Sequence, residues 1–163
     1  MRFSKKVLTL GAAAALSVLG GNANGAGSAA QNVNVNAAVQ ATCKFTSTVQ
    51  TISLIIDPSL PGPYTGTGTV TYKCTKKTTP TLSLTPASTA LPSAGAAGGS
   101  ANLQLALETD IPYSYTNTGA VQGTGFGNAQ NKSITVNVSV LETAGQDASA
   151  GTYTDTIAVT LNF

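Results

Sequence analysis

The sequence of 163 residues contains no histidine and no tryptophan, and charged residues make up only 9% of it. Without histidine the commonest general base of enzymes is absent, and no serine–lysine pair or pair of carboxylates stands out in its place. We therefore expect no enzymatic activity, no catalytic residue and no cofactor. Two cysteines without histidine also make a poor metal site, so no bound metal is expected.

The N-terminus has the pattern of a secretory signal peptide. Three cationic residues come first, and the uncharged run 7–19 that follows them is too short to span a bilayer. Small residues come next and place the cleavage site after Ala23 or Gly25. We therefore expect residues 1–25 to be a signal peptide and the mature chain to be exported.

The charge of the expected mature chain is close to zero. Once the three cations of the signal are removed, five lysines stand against six acidic residues. A nucleic-acid partner would require an excess of positive charge, so we expect none. The only basic cluster is Lys73, Lys76 and Lys77, which we interpret as a solvated turn whose lysines protect a sheet edge.

Cys43 and Cys74 are the only cysteines of the chain. Export places them in an oxidising compartment, where a disulfide between them is the expected state. On the chain-entropy model, closing the loop between them would stabilise the fold by about 3–4 kcal/mol.

Apolar and polar residues alternate repeatedly after the signal, which is the period of a half-buried β-strand. The clearest alternations are segments 33–41, 103–108, 134–140 and 153–163, and weaker ones are 49–56, 67–74 and 81–85. Segments rich in Gly, Pro and small residues separate them, at 57–63, 86–100, 119–128 and 144–151. This spacing predicts an all-β protein, a β-sandwich with Greek-key connections.

The first alternating segment begins a few residues after the signal. One face carries Val33, Val35, Ala37 and Val39, and asparagines at positions 32, 34 and 36 lie on the other. The alternation is compatible with an ordinary first strand of a closed sandwich and with a strand exchanged with another copy. Segment 153–163 is likewise compatible with a plain edge strand or with the lining of a groove.

Several blocks of sequence resemble one protein family over essentially the whole mature chain. The most specific is GTYTDTIAVTLNF at 151–163, and supporting blocks in the same order are Ala41-Thr42-Cys43, Asp57-Pro58, GTVTYKC at 68–74, Leu103-Gln104-Leu105 followed by Asp110, and Ala144-Gly145-Gln146. This pattern resembles the spore coat protein U-like family. That family includes the major subunits of archaic (Csu-type) chaperone–usher pili.

The resemblance implies an immunoglobulin-like Greek-key β-sandwich that lacks its last strand and is completed by a donor strand from another subunit. It divides the chain into a signal peptide at 1–25, an N-terminal donor-strand extension at 26–40 and a pilin β-sandwich domain at 41–163. The donor side chains would be Val33, Val35, Ala37 and Val39. The acceptor groove and chaperone-binding strand would use Tyr153, Ile157, Val159, Leu161 and Phe163.

The resemblance also implies a function, that of a structural pilin in an adhesive, biofilm-type fibre. Its partners would be identical or related subunits in a head-to-tail polymer, a periplasmic chaperone and an outer-membrane usher. The protein would pass through the periplasm and reside in a cell-surface pilus. The alternative is a self-complete secreted β-sandwich that binds carbohydrate or another surface and closes with its own N-terminal strand.

Overall fold

The computed structural model describes residues 28–88, 93–94, 98–106 and 108–163, so the expected signal peptide lies outside the described residues. The chain divides into two units, Met1–Ala37 and Ala38–Phe163. In the described part of the first unit, residues 28–37, every residue is exposed and none belongs to a strand. The strand predicted at 33–41 is therefore not formed in the single chain, because no other strand satisfies its backbone groups there.

The regular secondary structure of the second unit is almost entirely β-strand, which confirms the all-β fold class. Its described residues form the strands β1 (Cys43–Phe45), β2 (Tyr64–Cys74), β3 (Thr81–Pro86), β4 (Ser93–Ala94), β5 (Gly98–Leu103), β6 (Ile111–Asn117), β7 (Lys132–Val140) and β8 (Ile157–Asn162), with one helix, α1 (Glu142–Gly145). Across the described ranges, no helix has the length and apolar character needed to cross a membrane.

The strands assemble into two antiparallel sheets. The larger sheet has the order β1-β2-β7-β6-β5, and the smaller has the order β4-β3-β8. In the larger sheet β2 pairs with β7 from Tyr64 opposite Val140 to Tyr72 opposite Lys132. In the smaller sheet β3 pairs with β8 along six residues of each strand.

The disulfide predicted between Cys43 and Cys74 is present. The two residues are direct partners in the pairing of β1 with β2, and Cys74 is fully buried. The bond therefore joins the first residue of β1 to the last residue of β2.

The core is built by the alternation of apolar side chains along the strands. In β7 the even-numbered residues from Ile134 to Val140 are buried, as the sequence period predicts. Buried side chains from other strands of both sheets join them in one cluster, among them Tyr64, Tyr72, Leu84, Ile111, Tyr113 and Tyr115. The pattern that predicted strands at 67–74, 81–85 and 134–140 is confirmed in β2, β3 and β7.

The region from β4 to β6 also differs from the sequence predictions. The segment 86–100, predicted to be a loop, contains β4 and the beginning of β5. The strand predicted at 103–108 is wrong, because β5 ends at Leu103 and only Gln104 continues, in an isolated bridge with Thr154. Strand β6 was not predicted, and its residues Tyr113 and Tyr115 are buried in the core.

Candidate functional site

The second unit contains a cavity of about 1110 Å³ with a mostly apolar lining. Both sheets and the segment 47–56 contribute to it. Its apolar side chains include Val136 and Val138 from β7, Ile111 and Tyr113 from β6, and Ile157 and Val159 from β8. The cavity thus opens directly onto side chains that belong to the hydrophobic core.

Strand β8 is an edge of the smaller sheet. It pairs with β3 along one side, and within the described ranges no strand pairs with its other side. The inward side chains of Ile157, Val159 and Leu161 are only half-buried, although they alternate with fully exposed positions as core-facing residues do. An edge with free backbone N–H and C=O groups is a template for one more strand.

The segment 49–56 is a second border of the cavity. Ile52 packs over two glycines of β2, where a Cβ on Gly66 or Gly68 would lie only 2.6 or 2.8 Å from its side chain. The side chains alternate as predicted, with Ile52, Leu54 and Ile56 half-buried. The strand predicted there is nevertheless absent, because among the described residues no backbone hydrogen bond joins this segment to another strand.

Asp155 anchors the chain just before β8 through four hydrogen bonds. Its Oδ2 accepts from the Tyr113 hydroxyl at 2.7 Å and from the Ser88 hydroxyl at 2.7 Å. Its Oδ1 accepts from the backbone N–H of Ser88 at 3.2 Å and of Thr156 at 2.7 Å. Burial, together with the hydrogen bond to Asp155, raises the pKa of the Tyr113 hydroxyl, so the phenol stays a neutral donor.

We expect Asp155→Ala to lower the free energy of unfolding by about 2–4 kcal/mol, because it leaves the donors of the buried Tyr113 and the half-buried Ser88 without their acceptor. Chemical denaturation of purified protein measures the change. Asp147→Ala removes an exposed carboxylate outside this network and serves as the matched control, with an expected change within about 0.5 kcal/mol. Equal losses in the two variants would show that the network does not anchor β8.

Tyr153 places an unsatisfied polar group at the cavity. Its hydroxyl oxygen is buried, and within the part of the chain that the structure describes it is the only buried side-chain polar atom without a hydrogen-bond partner. The Tyr153 side chain lines the cavity and packs against the core. A buried hydroxyl without a partner costs free energy, so an occupant that offers it a backbone group would be favoured.

The structure brings together some of the predicted site residues and leaves others apart. Tyr153, Ile157 and Val159 line the cavity, Leu161 shares their face of β8, and Phe163 is exposed beyond the strand. In the N-terminal segment, Ala37 is exposed, and Val33, Val35 and Val39 are 84%, 87% and 84% exposed.

Sequence reasoning missed the opposite wall of the cavity. The sequence identified Val136 and Val138 as inward-facing but could not place them at a cavity, and it gave segment 49–56 no role at the site. The available signal was the uninterrupted alternation of β7. Because the inner face of this strand is apolar along its whole length, other residues must pack against it along that whole length.

A family model described as the Spore Coat Protein U domain matches residues 29–160. No curated protein matches the chain. No solved structure matches it either. The family match begins within the exposed N-terminal segment and extends into β8, so it includes both the alternating valines and the unpaired edge.

Proposed function

Because the chain belongs to the Spore Coat Protein U domain family, we propose that it is a structural subunit of a chaperone–usher pilus. Residues 26–40 of each subunit would insert as a donor strand into the cavity of the next. The observation that carries this proposal is an apolar cavity bordered by the unpaired edge of β8. Insertion of an extended segment at such an edge is a known mode of peptide recognition.

The cavity suits an extended segment with strictly alternating side chains. An inserted strand would pair with β8 through its backbone, so every second side chain would point to the core and the others to solvent. Segment 33–39 has this pattern, with Val33, Val35, Ala37 and Val39 on one face and polar asparagines on the other. Its seven residues span about 23 Å as a strand, which covers the six residues of β8.

The hydrophobic effect favours this insertion. Val33, Val35 and Val39 are almost fully exposed in the single chain. Burial of a valine side chain is worth about 1.5–3 kcal/mol, so the three would contribute about 5–9 kcal/mol before the entropy of ordering is subtracted. This stabilisation would be available only in the polymer.

The inserted strand would also complete the backbone of the fold. It would lie between β8 and segment 49–56, and its N–H and C=O groups would pair with both. Its backbone would offer a partner to the buried hydroxyl of Tyr153. We infer that the completed unit is an immunoglobulin-like Greek-key sandwich that lacks one strand of its own.

The proposal assigns the same cavity two successive occupants. A periplasmic chaperone would bind first along the C-terminal strand, with Tyr153, Ile157, Val159, Leu161 and Phe163 as its contacts. At an outer-membrane usher, the N-terminal strand of another subunit would replace it, and the growing polymer would reside at the cell surface. In this role the protein is neither an enzyme nor a nucleic-acid-binding protein.

The test is removal of the proposed donor. The mature chain should form polymers that are visible by size-exclusion chromatography and electron microscopy, and deletion of residues 26–38 should abolish them. A peptide of residues 28–41 should then bind the truncated subunit and stabilise it against unfolding by about 2.7 kcal/mol at a concentration a hundred times its Kd.

The control is the same peptide with aspartate in place of Val35, which should not bind. If the truncated chain is a stable free monomer and binds neither peptide, its sandwich is complete without the N-terminal strand. That result would reject the pilin and favour the self-complete binding module.

A further inference from the structure

The N-terminal segment leaves the second unit at a point fixed by Thr75. The Thr75 hydroxyl donates to the carbonyl oxygen of Gln40 at 3.1 Å and accepts the N–H of Thr42 at 3.1 Å. The backbone N–H of Thr75 donates to the carbonyl oxygen of Thr42 at 2.9 Å. Residues 40–42 are therefore held against the end of β2, and the free part of the segment ends at Val39.

This fixed exit leaves no linker between the proposed donor strand and the body of its subunit. Consecutive Cα atoms are about 3.8 Å apart, so Val39 in a neighbour's cavity would hold that neighbour directly against the residues around Gln40. If the proposed strand exchange takes place, on which this inference rests, two subunit surfaces must therefore touch. We call the region around Gln40, Thr75 and the adjacent loop the exit end.

Two apolar side chains lie beside the exit. Val121 and Phe126 are each about half exposed, in the loop between β6 and β7. The loop is held in place, because Val121 N–H donates to the Tyr72 hydroxyl at 2.7 Å and that hydroxyl donates back to Val121 C=O at 2.8 Å. Gly125 N–H also donates to the Cys74 carbonyl oxygen at 3.0 Å. Exposed apolar side chains that are held in place next to the exit are typical of a surface that contacts another protein.

The opposite end of the β2–β7 pair carries a second apolar pair, Leu60 and Leu141, both more than half exposed. The register puts Val140 opposite Tyr64 there, while Lys132 lies opposite Tyr72 at the exit end. Leu60 belongs to the same end, because its carbonyl oxygen accepts the Tyr64 hydroxyl at 2.9 Å. We call this region the far end.

The direction of insertion decides which end of the acceptor meets the donor. All strand pairs among the described residues are antiparallel, and antiparallel pairing is slightly more stable per residue. Strand β8 begins at Ile157, opposite Pro86, and ends at Asn162, opposite Thr81. A short loop connects Thr81 to the end of β2, so the C-terminal end of β8 lies at the exit end and Ile157 lies at the far end. A donor antiparallel to β8 therefore has Val39 near Ile157, at the far end of the acceptor.

We propose that Val121 and Phe126 at the exit end of one subunit pack against Leu60 and Leu141 at the far end of the subunit that holds its donor strand. The partner is a second copy of this chain. The two surfaces differ, so the contact is heterologous and repeats without closing, as a filament requires. It adds a body-to-body contact to the strand exchange and would limit bending at each joint.

The test uses charge exchange in the full mature chain. Phe126→Asp and Leu141→Lys should each weaken polymer association roughly tenfold, because each places a charge against an apolar patch. The double variant should recover most of the loss, since the aspartate of one subunit would face the lysine of the next. Sedimentation at a series of protein concentrations measures the association.

Asn137→Asp is the matched control, because it adds a charge on the outer face of β7 and keeps the oxygen that accepts the Thr67 hydroxyl. It should polymerise like the unaltered chain. Circular dichroism should show all four variants folded.

If the single variants polymerise normally while Val35→Asp does not, strand exchange is supported and the proposed contact between the exit end and the far end is wrong. If the double variant is weaker than either single variant, the two patches do not face each other. A mature chain that never polymerises would overturn both the proposed function and this inference.

Discussion

Val35→Asp should abolish polymer formation while the subunit remains folded. Val35 is 87% exposed in the single chain, so the substitution removes no contact there. In the polymer the new carboxylate would enter a cavity lined by Val136, Val138 and Val159, where its ionisation is strongly opposed and even the neutral acid costs several kcal/mol. Electron microscopy and size-exclusion chromatography would detect the loss, and chaperone binding should persist because the proposed chaperone would occupy the subunit's own cavity.

Asn34→Asp provides the matched control for this prediction. It introduces a carboxylate one residue away, on the face that an inserted strand turns to solvent, and should assemble nearly normally. Should Val35→Asp instead unfold the subunit and leave nothing for a chaperone to capture, the N-terminal strand would belong to its own domain. Donor-strand exchange would then be rejected for this chain.

Replacement of both cysteines, Cys43→Ala with Cys74→Ala, should lower the free energy of unfolding by about 3–4 kcal/mol. The disulfide closes a loop with a sequence separation of 31, and β1 has only three residues to hold its place on β2 without it. Guanidinium unfolding followed by circular dichroism measures the change. The loss should also appear when the unaltered chain is unfolded in the presence of a reductant.

A second variant separates the disulfide from the hydrogen bonds beside it. Thr75→Val removes the side-chain hydrogen bonds to Gln40 and Thr42 but leaves the disulfide intact, and should cost only about 1 kcal/mol. If the double cysteine variant lost no more than Thr75→Val, strand pairing alone would hold β1 and the disulfide would add little.

The sequence predicted the strands whose side chains alternate in size as well as polarity. In β7, valines and an isoleucine alternate with Ser, Thr and Asn, and the buried positions follow the period without exception. In β8 the same alternation predicted the inward face of Ile157, Val159 and Leu161. Both strands lie at the cavity, so the sequence predicted which of their side chains face inward, although it did not predict that β7 forms a wall of the cavity.

The strands that were missed have weak local signals. Residues 93–103 are dominated by Gly, Ala and Ser, which carry little hydrophobic periodicity, and β5 forms because β6 offers it a backbone partner. Strand β6 contains Pro112 as its second residue, and proline is typical of strand edges, strand starts or loops. Segment 49–56 has alternating apolar side chains but forms no strand. The alternation decides which side chains face inward, but it does not provide a neighbouring strand with which the backbone can pair.

The cavity itself depends on contacts between residues far apart in the chain. Val136, Tyr113 and Ile157 meet only because β7 and β6 share one sheet and β8 belongs to the other. Local patterns give the inward face of each strand but not the order of strands in the sheets. For that reason the sequence could suggest a groove beside the last strand and could not supply its opposite wall.

The position of the disulfide has a mechanical consequence for a fibre under tension. Beyond the hydrogen bonds of Thr75 to residues 40–42, a pull on the donor strand would reach Cys43 and pass through a covalent bond to Cys74, at the end of the eleven-residue strand β2. The three-residue pairing of β1 would then not have to bear the load. The segment between the two cysteines has a sequence separation of 31 and would be about 100 Å long if fully extended. The disulfide would keep this segment inside the subunit, so the fibre could not lengthen by unfolding it.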